Sequence, residues 1–242
     1  MNKGVILAGG LGTRLRPLTL VQNKHLLPVY SKPMIYYPIE TLVKAGIKEI
    51  AIVVGGPFAG NFIQVLKNGE DFNLNHMEYV YQEGEGGISQ ALSLTRRFAG
   101  GEGIAVILGD NCTDADISNE ISNFQGGAQI FLKKVNDPGK FGVPVFNGLD
   151  IVKIEEKPKK PQSNFAVIGL YLYDSTVFDR IKELKPSSRG ELEVTDLNNS
   201  YLRDGKLQWT ELNGYWQDCG SFETLIETGT YYRNVATRGK ER

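Results

Sequence analysis

The stretch GVILAGGLGTRLR, residues 4–16, combines a short apolar run with a glycine-rich segment that carries two arginines. The apolar run VIL has no helical period and is bounded by glycine, which predicts a buried β-strand. The glycines permit backbone angles closed to other residues, so their amide groups can converge on a ligand. Arg14 and Arg16 add fixed positive charge beside these amides. A strand that leads into such a loop predicts a phosphate-binding site.

The charge distribution around this loop supports the same prediction. The first acidic residue of the chain is Glu40, although the whole chain is balanced at 27 basic and 28 acidic residues. The basic residues before it are Lys3, Arg14, Arg16, Lys24 and Lys32. A solvated basic terminus is the alternative interpretation. Because Gly, Leu and Pro lie between the charges, we favour a shaped anion-binding loop.

Neither of the two common phosphate loops is present. The P-loop requires a Lys-Ser/Thr pair after Gly-x₄-Gly, and the segment lacks it. The dinucleotide fingerprint G-x-G-x-x-G begins at Gly10, but Leu15 stands at its last position, and no acid follows about 20 residues later. These departures argue against a dehydrogenase.

The composition predicts a soluble cytoplasmic protein of one domain. The chain has 242 residues, of which 41% are hydrophobic and 23% charged, with only two cysteines. Two cysteines form no disulfide framework, so a reducing compartment is expected. No apolar run approaches the length of a membrane span, and no signal-peptide pattern opens the chain. The near-neutral charge argues against a nucleic-acid binder.

Strand-like and helix-like segments alternate in the first half of the chain. Strands are predicted at 4–7, 49–54, 77–81 and 104–108, and helices at 34–45, 59–67 and 88–98. This alternation indicates βαβ units, hence an α/β fold with a mostly parallel sheet. Ligands of such sheets bind at the carboxyl ends of the strands, where the glycine loop and Asp110 both fall.

The second half of the chain is richer in predicted strands. They fall at 128–135, 141–146, 151–156 and 165–173, with helices predicted at 176–184, 194–203 and 221–235. We expect a mixed or antiparallel extension, with approximate lobes 1–125 and 126–242 that share one core.

Two acidic residues are candidate metal ligands. Asp110 ends the apolar strand ILGDN, and Asp218 lies in YWQDCG. A carboxylate beside apolar residues is costly unless it has a partner, although an Asp that caps a turn explains each residue taken singly. Two carboxylates and a phosphate form an ordinary shell for Mg²⁺. The two cysteines, Cys112 and Cys219, adjoin these acids, and we expect small buried residues rather than thiols that perturb the metal site.

The order of motifs along the chain resembles one enzyme family. LAGGLGTRLRPLT, NKHLLP, ILGDN, FGV, IEEKP, GLYLYD, RGELEVTD and QDCG follow each other as in glucose-1-phosphate thymidylyltransferases of the sugar-nucleotidyltransferase superfamily. The resemblance spans about residues 2–230. It implies a Rossmann-like three-layer sandwich with a smaller β-rich sugar-binding lobe. It also implies an Mg²⁺-dependent reaction of dTTP with glucose 1-phosphate that gives dTDP-glucose and pyrophosphate, in a homo-oligomer (dimer or tetramer) without nucleic-acid or membrane partners.

The resemblance also implies roles for individual residues. Catalysis falls to Arg14, Lys24, Asp110 and Lys157. Nucleotide binding falls to Leu7, Gly9, Gly10, Gly12, Thr13, Arg14, Lys24, Gln82, Gly87 and Asp110, with Gln82 and Gly87 on the thymine edge. Sugar-phosphate binding falls to Asn111, Gly142, Glu156, Lys157, Ile168, Tyr171 and Arg189. The Mg²⁺ ligands are Asp110 and Asp218.

The chain departs from this family at two sugar-side positions. Phe141 stands where many members carry Tyr, and Ile168 where Thr is usual. The chain also stops before a segment that longer members associate with a second nucleotide site. A uridylyl- or cytidylyltransferase, a thymidylyltransferase for another sugar 1-phosphate and a non-catalytic sugar-nucleotide sensor are the alternatives. The lysines and acids that remain count against the sensor.

Overall fold

The computed structural model describes residues 1–238, which form an α/β sandwich around one large sheet. The strands are β1 (Lys3–Ala8), β2 (Pro28–Val29), β3 (Lys32–Pro33), β4 (Glu49–Gly55), β5 (His76–Gln82), β6 (Ile104–Leu108), β7 (Asn111–Thr113), β8 (Ala128–Lys134), β9 (Gly142–Asn147), β10 (Asp150–Glu156), β11 (Phe165–Tyr173), β12 (Leu207–Glu211) and β13 (Trp216–Asp218). The α-helices are α1 (Tyr36–Lys44), α2 (Ala59–Leu66), α3 (Ile88–Ser93), α4 (Arg96–Ala99), α5 (Ser118–Asn123), α6 (Val177–Glu183), α7 (Val194–Arg203) and α8 (Phe222–Arg238). Short 3₁₀ helices occupy Thr13–Leu15, Leu18–Leu20, Lys24–Leu26, Glu70–Phe72 and Pro138–Lys140.

The main sheet has nine strands, and its direction changes at one strand. The order is β10-β9-β11-β6-β1-β4-β5, with β8 paired to β11 and β12 paired to β8. The run β6-β1-β4-β5 is parallel, whereas β11 is antiparallel to β6, β8 and β9. The predicted parallel first half is therefore confirmed. The strands of the second half extend the same sheet in mixed orientation.

Helices cover both faces because the central strands are apolar on both sides. Along β4, Ile50 and Ile52 pack into one core with α1 and α2, while Ala51 and Val53 pack into the other with α3. Successive strand residues point to opposite faces, so a continuous apolar run must be covered twice. This arrangement gives the three-layer sandwich.

One predicted helix is interrupted. The helical spacing of residues 88–98 predicts a single helix, but α3 ends at Ser93 and α4 begins at Arg96. Thr95 is buried at the break, and its hydroxyl donates to the Leu92 carbonyl at 2.8 Å. A β-branched residue whose side chain bonds a nearby carbonyl competes with the regular helical ladder, which explains the interruption.

A small ladder outside the main sheet places the second acidic motif. β13 pairs antiparallel with β7, with Asp218 opposite Asn111, and α8 follows β13. The carboxyl ends of β1, β5 and β6 open toward this ladder, so the glycine loop, Gln82 and Asp110 share one edge of the sheet. Across residues 1–238, no helix combines the length and apolarity that a membrane span needs.

Candidate active site

A cleft with a cavity of about 870 Å³ lies at this edge of the sheet. Its walls include Arg14, Asn111, Glu156, Lys157, Tyr171 and Asp218. The volume falls in the range of small-molecule sites, and charged groups of both signs converge on it. The structure thus brings together residues that lie more than 200 positions apart in the chain.

The glycine loop lies along one rim of the cleft and approaches its neighbours closely. Gly12 has φ +66°, in the left-handed region, and a Cβ there would stand 2.9 Å from Cβ of Lys24. A Cβ on Gly9 would lie 2.1 Å from Oε1 of Gln82. The Thr19 hydroxyl donates to the Gly12 carbonyl at 2.9 Å. The segment is therefore a shaped loop, and glycine at position 9 is required by packing.

Lys24 and Asp110 form a buried ion pair in the cleft. The Lys24 ammonium donates to Oδ2 of Asp110, and the Asn111 amide donates to Oδ1 at 3.0 Å. Burial alone would raise the pKa of Asp110, but the charge of Lys24 with these hydrogen bonds holds it well below its usual range. Burial likewise opposes the charge of Lys24, and Asp110 keeps the pKa of the amine raised. Both groups therefore remain charged.

Asp218 brings a second carboxylate next to Asp110. The Cys219 amide donates to the Asp110 carbonyl at 2.9 Å, which joins the two segments. Burial, followed by the charge of Asp110, raises the pKa of Asp218 to about 6. Oδ1 of Asp218 is buried and finds no hydrogen-bond donor within residues 1–238. Two adjacent carboxylates with an unpartnered oxygen fit Mg²⁺, which prefers oxygen ligands.

Asn111 is held in one orientation by two groups that can only donate. Its Oδ1 accepts from the Trp216 indole at 2.7 Å and from the Gly169 amide at 3.0 Å. The Asn111 amine must therefore face Asp110. Trp216 is absent from the residues chosen by sequence. The available signal was a Trp two positions before an acid, since a buried indole N–H usually needs an acceptor.

The opposite wall carries the acid and the cations expected to contact a sugar phosphate. Glu156 accepts from the Thr195 hydroxyl at 2.5 Å and from Arg189 at 3.2 Å. The Lys157 amine lies 3.6 Å from Glu156. Arg189 also contacts both oxygens of Glu193, at 2.9 and 2.8 Å. Thr195 and Glu193 are thus additional residues that the sequence analysis did not select.

Lys157 is directed into the cleft by an unusual backbone. Its φ is +43°, one of four positive values among non-glycine residues of 1–238, and its amide donates to the Phe141 carbonyl at 2.9 Å. Such conformations are uncommon and concentrate at functional sites.

Ile168 is the exception among the expected sugar-side residues. Its side chain is fully buried in the core that contains Ile107 and Phe131. Side chains alternate along β11, so Val167, Gly169 and Tyr171 line the cleft while Ile168 points to the other face. The expectation that the Ile168 side chain binds substrate is therefore wrong.

The other sugar-side residues lie at the cleft. Gly142 lines it, and a Cβ there would meet the Thr195 hydroxyl at 3.0 Å. Phe141 also lines it and packs edge-on against Trp216, with 5.8 Å between ring centroids.

The remaining nucleotide-side residues lie next to the glycine loop. Leu7 is nearly buried within β1, and Gln82 is nearly buried at the end of β5. Gly87 has φ +91° and packs against the Leu192 carbonyl, which a Cβ would approach to 2.9 Å. Gly10 lies beside the Lys24 side chain, and Thr13 begins the first 3₁₀ turn.

The two cysteines belong to a separate apolar cluster. Cys112 and Cys219 are fully buried with Val29, Met34 and Tyr37, against α8. Burial raises the pKa of the Cys112 thiol well above its usual range, with the neighbouring Cys219 contributing. A thiol with a raised pKa is a poor nucleophile and a poor metal ligand. The position is that of a packing residue.

Comparisons with known proteins point to one family. The nucleotidyl transferase family model matches residues 3–234. Glucose-1-phosphate thymidylyltransferase of Neisseria meningitidis is 41% identical over 240 residues, covering 96% of this chain and 83% of that protein. The Xanthomonas campestris enzyme of the same name is 42% identical, covering 98% of this chain and 82% of that protein.

Solved structures agree with the sequence comparisons. A Bacillus anthracis structure in complex with sucrose, assigned as a glucose-1-phosphate thymidylyltransferase, is 46% identical with a TM-score of 0.91, covering 96% of each chain. A UDP-glucose pyrophosphorylase complexed with UDP-glucose is 26% identical with a TM-score of 0.84, covering 97% of this chain and 99% of that chain.

Proposed function

Because this chain belongs to the nucleotidyl transferase family and to its glucose-1-phosphate thymidylyltransferases, we propose that it joins dTTP and α-D-glucose 1-phosphate to give dTDP-glucose and pyrophosphate. The observation that carries the proposal is the cluster of Lys24, Asp110 and Asp218 beside the glycine loop, at the mouth of a cleft large enough for a sugar phosphate. The reaction supplies the activated glucose from which dTDP-deoxysugars such as dTDP-rhamnose are made.

Residues 1–125 supply the nucleotide half of the site. Amides of the glycine loop, from Gly9 to Thr13, hold the triphosphate, since successive backbone N–H groups form an anion-binding concavity. Arg14 and Lys24 neutralise its charge. Gln82 and Gly87 contact the thymine edge at the end of β5, where the Gln82 side chain lies against the loop.

Residues 126–242 supply most of the sugar-phosphate half. Glu156, oriented by Thr195 and Arg189, accepts hydrogen bonds from sugar hydroxyls. Lys157 and Arg189 hold the phosphate of the sugar. Gly142 and Tyr171 line the pocket, and Asn111 contributes from the nucleotide half.

Positioning and charge neutralisation account for the mechanism. Lys157 and Arg189 direct a phosphate oxygen of the sugar 1-phosphate at the α-phosphorus of the nucleotide, in line with the departing pyrophosphate. Lys24 and Arg14 lie where negative charge accumulates on the transferred and leaving groups, so they stabilise the transition state. Asp110 and Asp218 would hold Mg²⁺, which supplies charge neutralisation at the α-phosphate when bound. Burial of these groups strengthens every one of their electrostatic interactions.

A pyrophosphate-release assay over a matrix of substrates tests the assignment. The nucleotides are dTTP, UTP and CTP, and the sugars are the 1-phosphates of glucose, galactose and glucosamine. We expect the highest kcat/KM with dTTP and glucose 1-phosphate, no release without divalent cation, and lower efficiency with UTP. Light scattering after gel filtration tests the expected cytoplasmic homo-oligomer, a dimer or a tetramer. Release that is fastest with UTP or CTP would contradict the thymidylyl assignment.

A further inference from the structure

Gln82 is enclosed on two sides and open only toward the cleft. It is 6% exposed and ends β5, where it faces Gly55 of β4. On one side Gly9 approaches so closely that a Cβ there would collide with Oε1. On the other side its Nε2 donates to Oε1 of Gln90 at 2.6 Å. This amide contact is the only side-chain hydrogen bond that Gln82 makes within residues 1–238.

Gln90 is itself held in place. It lies on α3, and its aliphatic stem packs against Gly86, where a Cβ would come within 2.8 Å of Cγ. The helix therefore fixes where the Gln90 carbonyl oxygen is presented. Since two amides in contact must pair donor to acceptor, the Gln90 oxygen decides which end of the Gln82 amide turns toward Gln90.

The orientation of this amide determines which base it can recognise. Thymine presents an N–H donor at N3 beside a carbonyl acceptor, whereas cytosine presents an acceptor at N3 beside an amine donor. With Nε2 held at Gln90, Oε1 of Gln82 is left to accept from thymine N3–H, and the second Nε2 hydrogen can donate to the thymine carbonyl. Cytosine requires the reverse orientation, which breaks the Gln82–Gln90 bond.

We propose that Gln90 is a positioning residue that sets base specificity by locking the Gln82 amide in its thymine-reading orientation. The inference rests on the proposed thymidylyl transfer and adds a residue that touches no substrate. Discrimination arises because the wrong base leaves buried polar groups unpaired, a stronger filter than a missing methyl group.

Two variants of Gln90 separate locking from packing. Gln90→Met keeps the length of the side chain but cannot accept a hydrogen bond, so Gln82 becomes free to invert. Gln90→Glu retains an oxygen acceptor and therefore the orientation. The readout is kcat/KM for dTTP, dUTP and dCTP at saturating glucose 1-phosphate, with calorimetric binding of dTTP and dCTP to each protein in the absence of sugar phosphate.

For Gln90→Met we expect the dTTP-to-dCTP ratio of kcat/KM to fall at least ~10-fold, through KM rather than kcat. The dTTP-to-dUTP ratio should stay unchanged, because the 5-methyl group lies away from the inverted amide. Gln90→Glu should keep the parent dTTP-to-dCTP ratio within about 3-fold. The binding constants should follow the same pattern, which covers a variant with impaired turnover.

The outcomes distinguish this inference from the proposed function. If the parent enzyme fails to prefer dTTP over dCTP, the thymidylyl assignment itself is wrong. If the parent shows the preference and Gln90→Met retains it, Gln90 does not set specificity, although the assignment stands. Equal losses in Gln90→Met and Gln90→Glu would also overturn the locking role, since only one of them lacks the acceptor.

Discussion

The buried pair of Lys24 and Asp110 allows a quantitative prediction for Lys24→Met. The side chains of both residues are nearly enclosed, at 13% and 11% exposure. Removal of the amine leaves the Asp110 carboxylate buried beside Asp218, with only the Asn111 amide still donating to it. Loss of one partner of a buried ion pair costs about 3–5 kcal/mol, because an uncompensated charge remains. We expect Lys24→Met to lose that much free energy of unfolding without divalent cations.

A double-mutant cycle checks the origin of this cost. Lys24→Met with Asp110→Asn removes both charges, so the double variant should be at least ~2 kcal/mol more stable than the sum of the single losses predicts. Urea unfolding at pH 7 measures each variant. Lys44→Met is the matched control, since its partner Asp116 is 3.5 Å away and both side chains are about half exposed. It should change stability by no more than ~1 kcal/mol.

The same variant separates catalysis from binding. Lys24 should act mainly on the transition state, so Lys24→Met should lower kcat at least ~100-fold and raise KM for dTTP much less. Additive losses in the cycle would refute the buried-pair argument. A variant with parent kcat and only a raised KM would refute the catalytic role and leave Lys24 as a nucleotide-binding residue.

Three further predictions follow from neighbouring groups. Asp218→Asn should lower turnover at least ~100-fold and raise the Mg²⁺ concentration for half-maximal activity, and an unchanged Mg²⁺ titration would contradict its role as a ligand. Gly9→Ala should raise KM for dTTP at least ~10-fold, because its Cβ would displace the Gln82 side chain, whereas Gly60→Ala meets no atom within 4 Å and should leave kinetics unchanged. Burial and then Lys24 lower the pKa of His25 to about 3, so its contribution to stability is complete above pH 6.5 and is lost as the pH falls toward 3. The stability difference between the parent and His25→Gln should accordingly grow by up to ~1.4 kcal/mol per unit from pH 4 to pH 6, and a pH-independent difference would contradict the buried neutral imidazole.

Local patterns in the sequence were sufficient for the regular elements. The run VIL before the glycines predicted β1, and alternation predicted the parallel strands β4, β5 and β6 within a residue or two of their ends. Apolar periodicity and glycine content act over a few neighbouring residues, so they are readable without the fold. The split of α3 from α4 escaped the prediction because the buried Thr95 bonds a local carbonyl, which periodicity does not reveal.

The sequence by itself determined the chemistry available to this protein: a glycine loop with cations, two strand-end acids, and the motif order that resembles one transferase family. Only the tertiary structure decided how those groups pair. The β7–β13 ladder sets Asp218 beside Asp110, strand alternation turns Ile168 into the core, and packing brings Gln90 to Gln82. Contacts between distant segments depend on strand register and on which face each side chain takes. A shift of one residue reverses every face, and no local pattern specifies that register.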